Sequence, residues 1–154
     1  MIRNSFLRTL TRASLVVLFP FSAADKIFNW KQAIKQAKSG PAPFANAAPE
    51  LLLAGIAVEA ITPICIVTGR RDREAAALLA GFCASTALLY HPFWTHDDLF
   101  SKGKSTGREE LWEFLKNFGL VGGLMFVALD DRRAGTSSPQ QPYDTSIAAG
   151  GRRE

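Results

Sequence analysis

Six polar or charged side chains lie inside or at the ends of otherwise apolar segments, and their position is what suggests chemistry. Glu59 stands near the middle of the second apolar segment, and Lys26 lies near the end of the first. His91 closes the third segment, and Glu113, Lys116 and Asn117 lie in the first two turns of the fourth. A charged side chain inside a bilayer costs about 2.5–3.5 kcal/mol on insertion scales. We therefore predict that these groups meet in one polar pocket that opens toward the outer face of a membrane.

The chemistry available to this set is the binding of a small ligand or the relay of protons. A histidine such as His91 titrates near neutral pH, and a buried carboxylate such as Glu59 can exchange a proton with a ligand. The alternative is structural: Glu59 pairs with Lys26 or Lys116, or is protonated, and the contact sets the register of the helices. Because a charge at mid-depth is costly if packing is its only use, we favour the functional interpretation, with Glu59 and His91 as catalytic candidates.

A second cluster of ionisable residues follows the third segment. Its members are His91, His96, Asp97 and Asp98. These are metal-ligand types, but proline and aromatic residues interrupt any regular spacing, so a solvated loop is favoured and no metal site is predicted. Cys65 and Cys83 lie inside apolar segments outside any CxxC motif, and they are interpreted as packed thiols. The sequence contains no recognisable haem or iron–sulfur ligand set.

Four apolar segments must position these groups, over residues 6–28, 51–68, 75–90 and 111–129. A helix needs ~20 residues to cross ~30 Å of hydrocarbon, and ~17 are tolerated. The second and fourth segments meet this length, and the first and third are marginal. A soluble helix shows polar residues every third or fourth position, whereas residues 51–58 and 75–84 are apolar all round. The predicted fold is an all-α four-helix transmembrane bundle in a lipid bilayer.

Small residues predict where the helices approach each other closely. Gly55, Glu59 and Thr62 share one stripe of the second segment. On the third segment, the predicted contact stripe consists of Ala77, Gly81, Ala84 and Leu88 and leads to His91. Both stripes are expected to face the interior of the bundle, where the polar pocket lies.

The first apolar segment has a second interpretation, as a cleaved secretory signal. Three arginines precede a short apolar core, which ends in Ser-Ala-Ala at residues 22–24, a pattern typical of a cleavage site. The apolar pattern nevertheless continues through Trp30, beyond the suggested cut. This continuation favours a retained membrane span.

The distribution of arginine predicts the topology. If the chain crosses four times from an inside N-terminus, every arginine except Arg108 falls on the inner side. Positive residues mark the cytoplasmic side, so both termini are predicted to be cytoplasmic. Residues 29–38 form a predicted short interfacial helix after the first span. Residues 132–154 are rich in Gly, Ser, Pro and Gln and predict a disordered cytoplasmic tail, which leaves residues 1–131 as the membrane domain.

The net charge of +4 does not indicate a nucleic-acid partner. The basic residues form no continuous patch with interleaved aromatic side chains. They lie at the ends of apolar segments, where membrane topology would place them.

Taken in order, these segments resemble the DoxX family of small integral membrane proteins. The resemblance is carried by SAADKIF, LLLAGIAVEAITPICIVTG, RRDREAA, ALLYHPFW and KNFGLVGGLM, and it extends over about residues 15–130. It implies that the recurrent polar positions of the family fall on Lys26, Glu59, His91 and Asn117. The usual glycine before the first-helix lysine is replaced here by Ala24 and Asp25. Asp25 is therefore a candidate to neutralise Lys26.

The resemblance also implies a function, because relatives are linked to quinone-dependent oxidoreductases and redox-stress complexes of the bacterial inner membrane. We predict that the outward pocket binds a quinone headgroup. Lys26 and His91 would hydrogen-bond its carbonyl oxygens, Glu59 would exchange a proton, and Asn117 would orient the ring. Partner subunits of a redox complex would supply the electrons, so whether this chain is itself an enzyme stays open. The alternatives are a non-enzymatic scaffold subunit and a small-solute or proton carrier.

Overall fold

The computed structural model describes residues 2–130, with side chains from residue 5 onward, and this part of the chain is helical without strands. The helices in order are α1 (Ile2–Val16), α2 (Leu18–Phe28), α3 (Trp30–Ala37), α4 (Ala42–Asn46), α5 (Ala48–Thr68), α6 (Asp72–Tyr90) and α7 (Thr106–Ala128). A 3-10 turn, Phe93–Thr95, follows α6. The predicted tail, residues 132–154, lies outside the described residues.

Four helical stretches are long and apolar enough to cross a membrane. They are Ser5–Phe28, Ala48–Thr68, Asp72–Thr95 and Thr106–Ala128. Large apolar side chains cover their outer surfaces, and Phe126, for example, is 74% exposed. An apolar surface of this extent suits contact with lipid rather than with water. The predicted all-α fold with four membrane-spanning helices is confirmed.

The helices begin earlier than the apolar segments that predicted them. Residue 48 starts α5, residue 72 starts α6 and residue 106 starts α7, whereas the apolar segments begin at 51, 75 and 111. Each additional turn carries an acidic side chain, namely Glu50, Asp72 and Glu109. A carboxylate is stabilised by the positive end of the helix dipole. The polar first turns therefore extend each helix beyond its apolar part.

The first span is interrupted at Val17, where α1 ends and α2 begins. Proline has no N–H to donate, and its ring clashes with the carbonyl four residues earlier. Pro20 therefore disrupts the helix at the carbonyl of Val16. Both halves still contribute to the interior, since Val16 and Phe19 are buried. The core of the bundle depends on this segment.

Two apolar clusters hold the helices together. The larger joins all four spans and includes Val16, Phe19, Ile66, Leu79 and Leu124. The smaller joins α2, α3 and α5 and consists of Ala23, Ala33, Leu52 and Ile56. Lipid tails are as apolar as these side chains. In a membrane the clusters therefore stabilise the bundle through close packing more than through removal of apolar surface from water.

The predicted contact stripe of α6 is wrong. Ala77, Gly81 and Leu88 are exposed, and a Cβ built on Gly81 would meet nothing within 4 Å. The buried face of α6 instead contains Ala76, Leu79, Ala80, Cys83 and Ala87. Because residues 75–84 of α6 are apolar on every side, this part of the sequence does not select a face, and the packing of α5 and α7 determines which one is buried.

The arginine-bearing helix ends gather at one end of the bundle. The Arg12 Nη2 atom lies 2.5 Å from Asp72 Oδ2, and Arg12 Nη1 donates to the Ile66 carbonyl at 3.4 Å. The Arg73 Nε atom donates to the Ala128 carbonyl at 2.9 Å. These bonds join α1, the turn between α5 and α6, and the end of α7. The segment from Lys26 through α3, with its lysines, lies at the opposite end.

Candidate functional site

A buried ion pair between α2 and α5 is the centre of the candidate site. The Lys26 Nζ atom lies 2.6 Å from Glu59 Oε1 and 2.6 Å from Glu59 Oε2. It also donates to Ser22 Oγ at 2.6 Å, and Ser22 Oγ donates to Glu59 Oε1 at 3.1 Å. Glu59 is only 3% exposed. The carboxylate is therefore held away from lipid by a cation and a hydroxyl group.

Helical spacing brings these three side chains together. Ser22 and Lys26 are four residues apart on α2, so they lie on the same face one turn from each other. Gly55, Glu59 and Thr62 are all buried on α5, which confirms the predicted stripe on that helix. A face that buries a carboxylate needs a cation opposite it, and Lys26 supplies that cation.

The ion pair lies in the wall of a cavity of about 550 Å³, here called the main cavity. Helices α2, α3, α5 and α6 form most of its wall, and much of the lining is apolar. Ligand cavities in proteins typically have volumes of ~300–1,000 Å³ and apolar walls with a few convergent polar groups. Gly55 allows the Phe82 ring to pack closely against α5, since a Cβ on Gly55 would lie 3.2 Å from that ring. The arrangement has the form of a binding site for a small, mostly apolar molecule.

Asn117 lines the main cavity together with Lys26 and Glu59, so three of the four predicted site residues share it. Its side-chain nitrogen donates to the Glu113 carbonyl at 3.0 Å, which leaves the amide oxygen as an acceptor. Lys116 does not reach Glu59; its ammonium pairs with the exposed carboxylate of Glu113 at 2.6 Å. Of the two cations predicted to pair with Glu59, the structure therefore selects Lys26.

His91 lies apart from this group. Its Nδ1 atom is 2.8 Å from Glu110 Oε2, in a contact between the end of α6 and the start of α7. It is not among the residues that line the main cavity. The helix ends at Tyr90, so the backbone at His91 no longer follows the helical path that would direct its side chain along the predicted stripe.

A second, polar cavity adjoins the ion pair, and we call it the α2–α3 cleft. Its volume is about 340 Å³, and its lining consists of Ser22, Asp25, Lys26, Asn29, Gln32, Ala33 and Gln36. Asp25 accepts a hydrogen bond from Asn29 at 2.7 Å, and no ion pair joins it to Lys26 within the described part of the chain. Lys26 is thus paired with Glu59 and not with its chain neighbour.

Two residues of the site were missed in the sequence. Ser22 bridges the ion pair, and its position four residues before Lys26 was a usable signal. Tyr90 lines the main cavity, and its hydroxyl donates to the Ala37 carbonyl at 3.2 Å. A Cβ on Gly40 would lie 3.0 Å from the Tyr90 ring, so glycine permits this close approach. No local sequence pattern indicated that Tyr90, and not its neighbour His91, would line the cavity.

The His-Asp loop after α6 has a structural use in this fold. The two carboxylate oxygens of Asp98 accept from the backbone N–H groups of Gly107 at 2.9 Å and Thr106 at 2.8 Å. The Ser105 hydroxyl accepts from the N–H of Arg108 at 3.1 Å, so the first turn of α7 is capped throughout. Within residues 2–130, no group of three or more His, Cys, Asp or Glu side chains is arranged to hold a metal ion.

These backbone hydrogen bonds, that of Gly107 first, hold the pKa of Asp98 below its usual value of 3.8. Because the pKa is lower in the folded state, the cap stabilises the fold at neutral pH, and this contribution is lost as the pH falls below about 4. We expect Asp98→Asn to lower the thermal unfolding midpoint at pH 7 and to have less effect at pH 3. Unfolding curves of detergent-purified protein measure this, with Asp97→Asn as the control. A deficit for Asp98→Asn that does not change with pH would contradict the prediction.

Comparison with known proteins agrees with this architecture. The family model that matches the chain is DoxX, over residues 7–92, which is more than half of its 154 residues. No curated protein and no solved structure matches the sequence. The matched range contains Lys26, Glu59 and His91 and ends before Asn117. The chain, with its four apolar helices, belongs to the DoxX family, as its sequence predicted.

Proposed function

We propose that this protein binds a quinone headgroup in the main cavity and serves a membrane oxidoreductase complex as its quinone-binding subunit. The observation that carries the proposal is the Lys26–Glu59 pair, buried in the wall of a largely apolar cavity. A quinone is an apolar ring with two carbonyl oxygens, so it needs apolar walls and one or two hydrogen-bond donors. The main cavity offers both.

The charge of the site favours a neutral ligand over an anionic one. Both carboxylate oxygens of Glu59 lie within hydrogen-bond distance of the Lys26 ammonium, so the pair has no net charge. A fatty acid or a phosphate would have to displace Glu59 and leave that carboxylate unpaired in a buried position, which costs several kcal/mol. A carbonyl oxygen leaves Glu59 paired, because it needs to replace only the neutral Ser22 hydroxyl on one of the three N–H donors of the ammonium group.

The remaining lining residues suit a ring. Phe82 and Leu52 lie along the cavity wall, and the Asn117 amide is the polar group contributed by α7. In this proposal Lys26 donates to a carbonyl oxygen, Asn117 orients the ring and Glu59 exchanges a proton. The prediction for His91 stays separate from this set, because Glu110 holds its ring nitrogen.

The reaction served is the interconversion of quinone and quinol. Reduction of the ring takes two electrons and two protons, and each carbonyl oxygen gains an O–H bond. A partner redox subunit supplies the electron pair in this proposal, and the Lys26–Glu59 pair transfers protons. The chain itself then acts through binding and proton exchange.

The proposed orientation follows the charges of the bundle ends. The end formed by Arg12, Arg73 and the α5–α6 turn faces the cytoplasm, and the end with α3 faces outward. The protein is then a multi-pass protein of a bacterial inner membrane with both termini inside. The α3 helix would lie in the outer interface, with Trp30 at headgroup depth.

Glu59→Gln tests the proposal, since glutamine keeps the shape of the side chain but removes its charge and its proton exchange. We expect the affinity of purified protein for a short-chain benzoquinone to fall at least tenfold, about 1.4 kcal/mol, by calorimetric titration. The control is Glu113→Gln, which removes the carboxylate of an exposed ion pair on α7. Unchanged quinone affinity and unchanged quinone-linked turnover in Glu59→Gln would overturn the assignment.

A further inference from the structure

The main cavity and the α2–α3 cleft meet at the ion pair. Four residues line both the main cavity and the α2–α3 cleft, namely Ser22, Lys26, Ala33 and Gln36. The wall between the cavities is therefore a single layer of side chains, and the Lys26–Ser22 hydrogen bond of 2.6 Å is part of it. Only these shared residues separate a molecule bound in the main cavity from the cleft.

The two cavities differ in polarity. The main cavity is mostly apolar, whereas carboxylate, ammonium, amide and hydroxyl groups line the cleft. On α3, Ala33 is buried against the bundle, and Lys31, Gln32 and Lys35 are exposed. A helix with one buried side and a polar remainder borders water. The cleft therefore lies where water meets the bundle.

Lys26 is more exposed than Glu59, as expected if the cleft contains water. The Lys26 side chain is 27% exposed and the Glu59 side chain is 5% exposed. Lys26 thus contacts the cleft, while Glu59 lies farther inside and is linked to it through Lys26 and Ser22. The titratable and charged groups around the pair are Asp25 on α2 and Cys83 and Tyr90 on α6, with Asn117 as the polar group on α7.

We propose that the α2–α3 cleft is an aqueous entry through which the Lys26–Glu59 pair exchanges protons with the outside of the membrane. The Lys26 ammonium gives a proton to an oxygen of the molecule in the main cavity, so that one N–H bond breaks and one O–H bond forms. The resulting amine then takes a proton from a hydronium ion that reaches the cleft from the outside solution, which restores the ammonium and leaves water. The use of this route by a quinone rests on the proposed function, but the route itself does not.

Cysteine accessibility tests the route directly. Ser22→Cys changes one atom at a position shared by both cavities, and Cys65→Ser/Cys83→Ser removes the native thiols. In protein reconstituted in nanodiscs, where lipid covers the sides and both ends face water, we expect a charged methanethiosulfonate reagent to modify Cys at position 22. Adding Gln32→Trp, which fills the cleft only, should slow the modification at least tenfold. Adding Ala54→Trp, which fills the main cavity only, should leave the rate within about twofold.

The controls separate the route from folding and from quinone binding. Lys31→Trp places the same side chain on an exposed part of α3 outside both cavities and should not change the rate. If Ser22→Cys does not fold, Ala33→Cys probes another residue shared by the two cavities. Modification that Gln32→Trp does not slow, or that only a lipid-soluble maleimide achieves, would overturn the route. Labelling through the cleft in a protein that binds no quinone would uphold the route and overturn only the proposed function.

Discussion

Replacing Ala54 by tryptophan is expected to abolish quinone binding while leaving the bundle folded. Ala54 lines the main cavity from α5, and it is exposed rather than packed in the core. An indole ring there would occupy space that a quinone ring needs. The cavity has a volume of about 550 Å³, and an indole ring, which is at least as large as a quinone ring, would fill the part of it that the quinone would occupy. We expect the affinity for a short-chain benzoquinone to fall at least 100-fold, about 2.7 kcal/mol.

Ala57→Trp is the matched control for this change. Ala57 lies on the same helix and is also exposed, but it lines neither cavity. Both variants add the same side chain to an apolar surface, so their effects on folding and insertion should be similar. Calorimetric titration in nanodiscs compares their affinities. Equal affinities in the two variants would mean that the quinone binds outside the main cavity.

Removing only one member of the ion pair is expected to give the largest loss of stability. In Lys26→Met, the carboxylate of Glu59 stays buried but loses its cation, and breaking a buried pair in this way costs about 3–5 kcal/mol. Unfolding of the purified protein with denaturing detergent, measured by circular dichroism, gives the free energy.

The double substitution Lys26→Met/Glu59→Leu separates the two uses of the pair. Exchange of a buried ion pair for apolar side chains of similar volume is often neutral or stabilising, so we expect most of the lost stability to return. Quinone binding should not return, because the donor and the proton-exchanging group are both gone. A double variant that binds quinone with unchanged affinity would support the structural interpretation of the pair. A double variant as unstable as Lys26→Met would contradict the expected stability.

The same variant bears on the scaffold alternative. A scaffold subunit needs its outer surface and not the interior pair, so Lys26→Met/Glu59→Leu would keep its partners and their activity. A quinone-binding subunit would keep its partners but lose the quinone-linked turnover of the complex. Co-purification of partner subunits together with turnover distinguishes the two functions.

The sequence by itself determined the number of spans, their order and the ends at which charges gather. These properties are local, because about twenty apolar residues suffice to define a span and charged residues mark its ends. The cost of burying a charge in lipid also singled out Glu59 and Lys26 from their apolar surroundings. In the folded bundle these two side chains pair at 2.6 Å.

Only the tertiary structure decided which faces of α6 and α7 turn inward. Residues 75–84 of α6 and 118–128 of α7 are apolar on every side, so the rotation of these helices about their own axes depends on the neighbours against which they pack. That rotation exposes Gly81, buries Cys83, brings Tyr90 to the cavity and leaves His91 with Glu110. The bridging position of Ser22 and the cleft beside α3 arise from the same packing. Apolar sequence specifies that a helix enters the membrane, and contacts between helices specify which of its residues form a site.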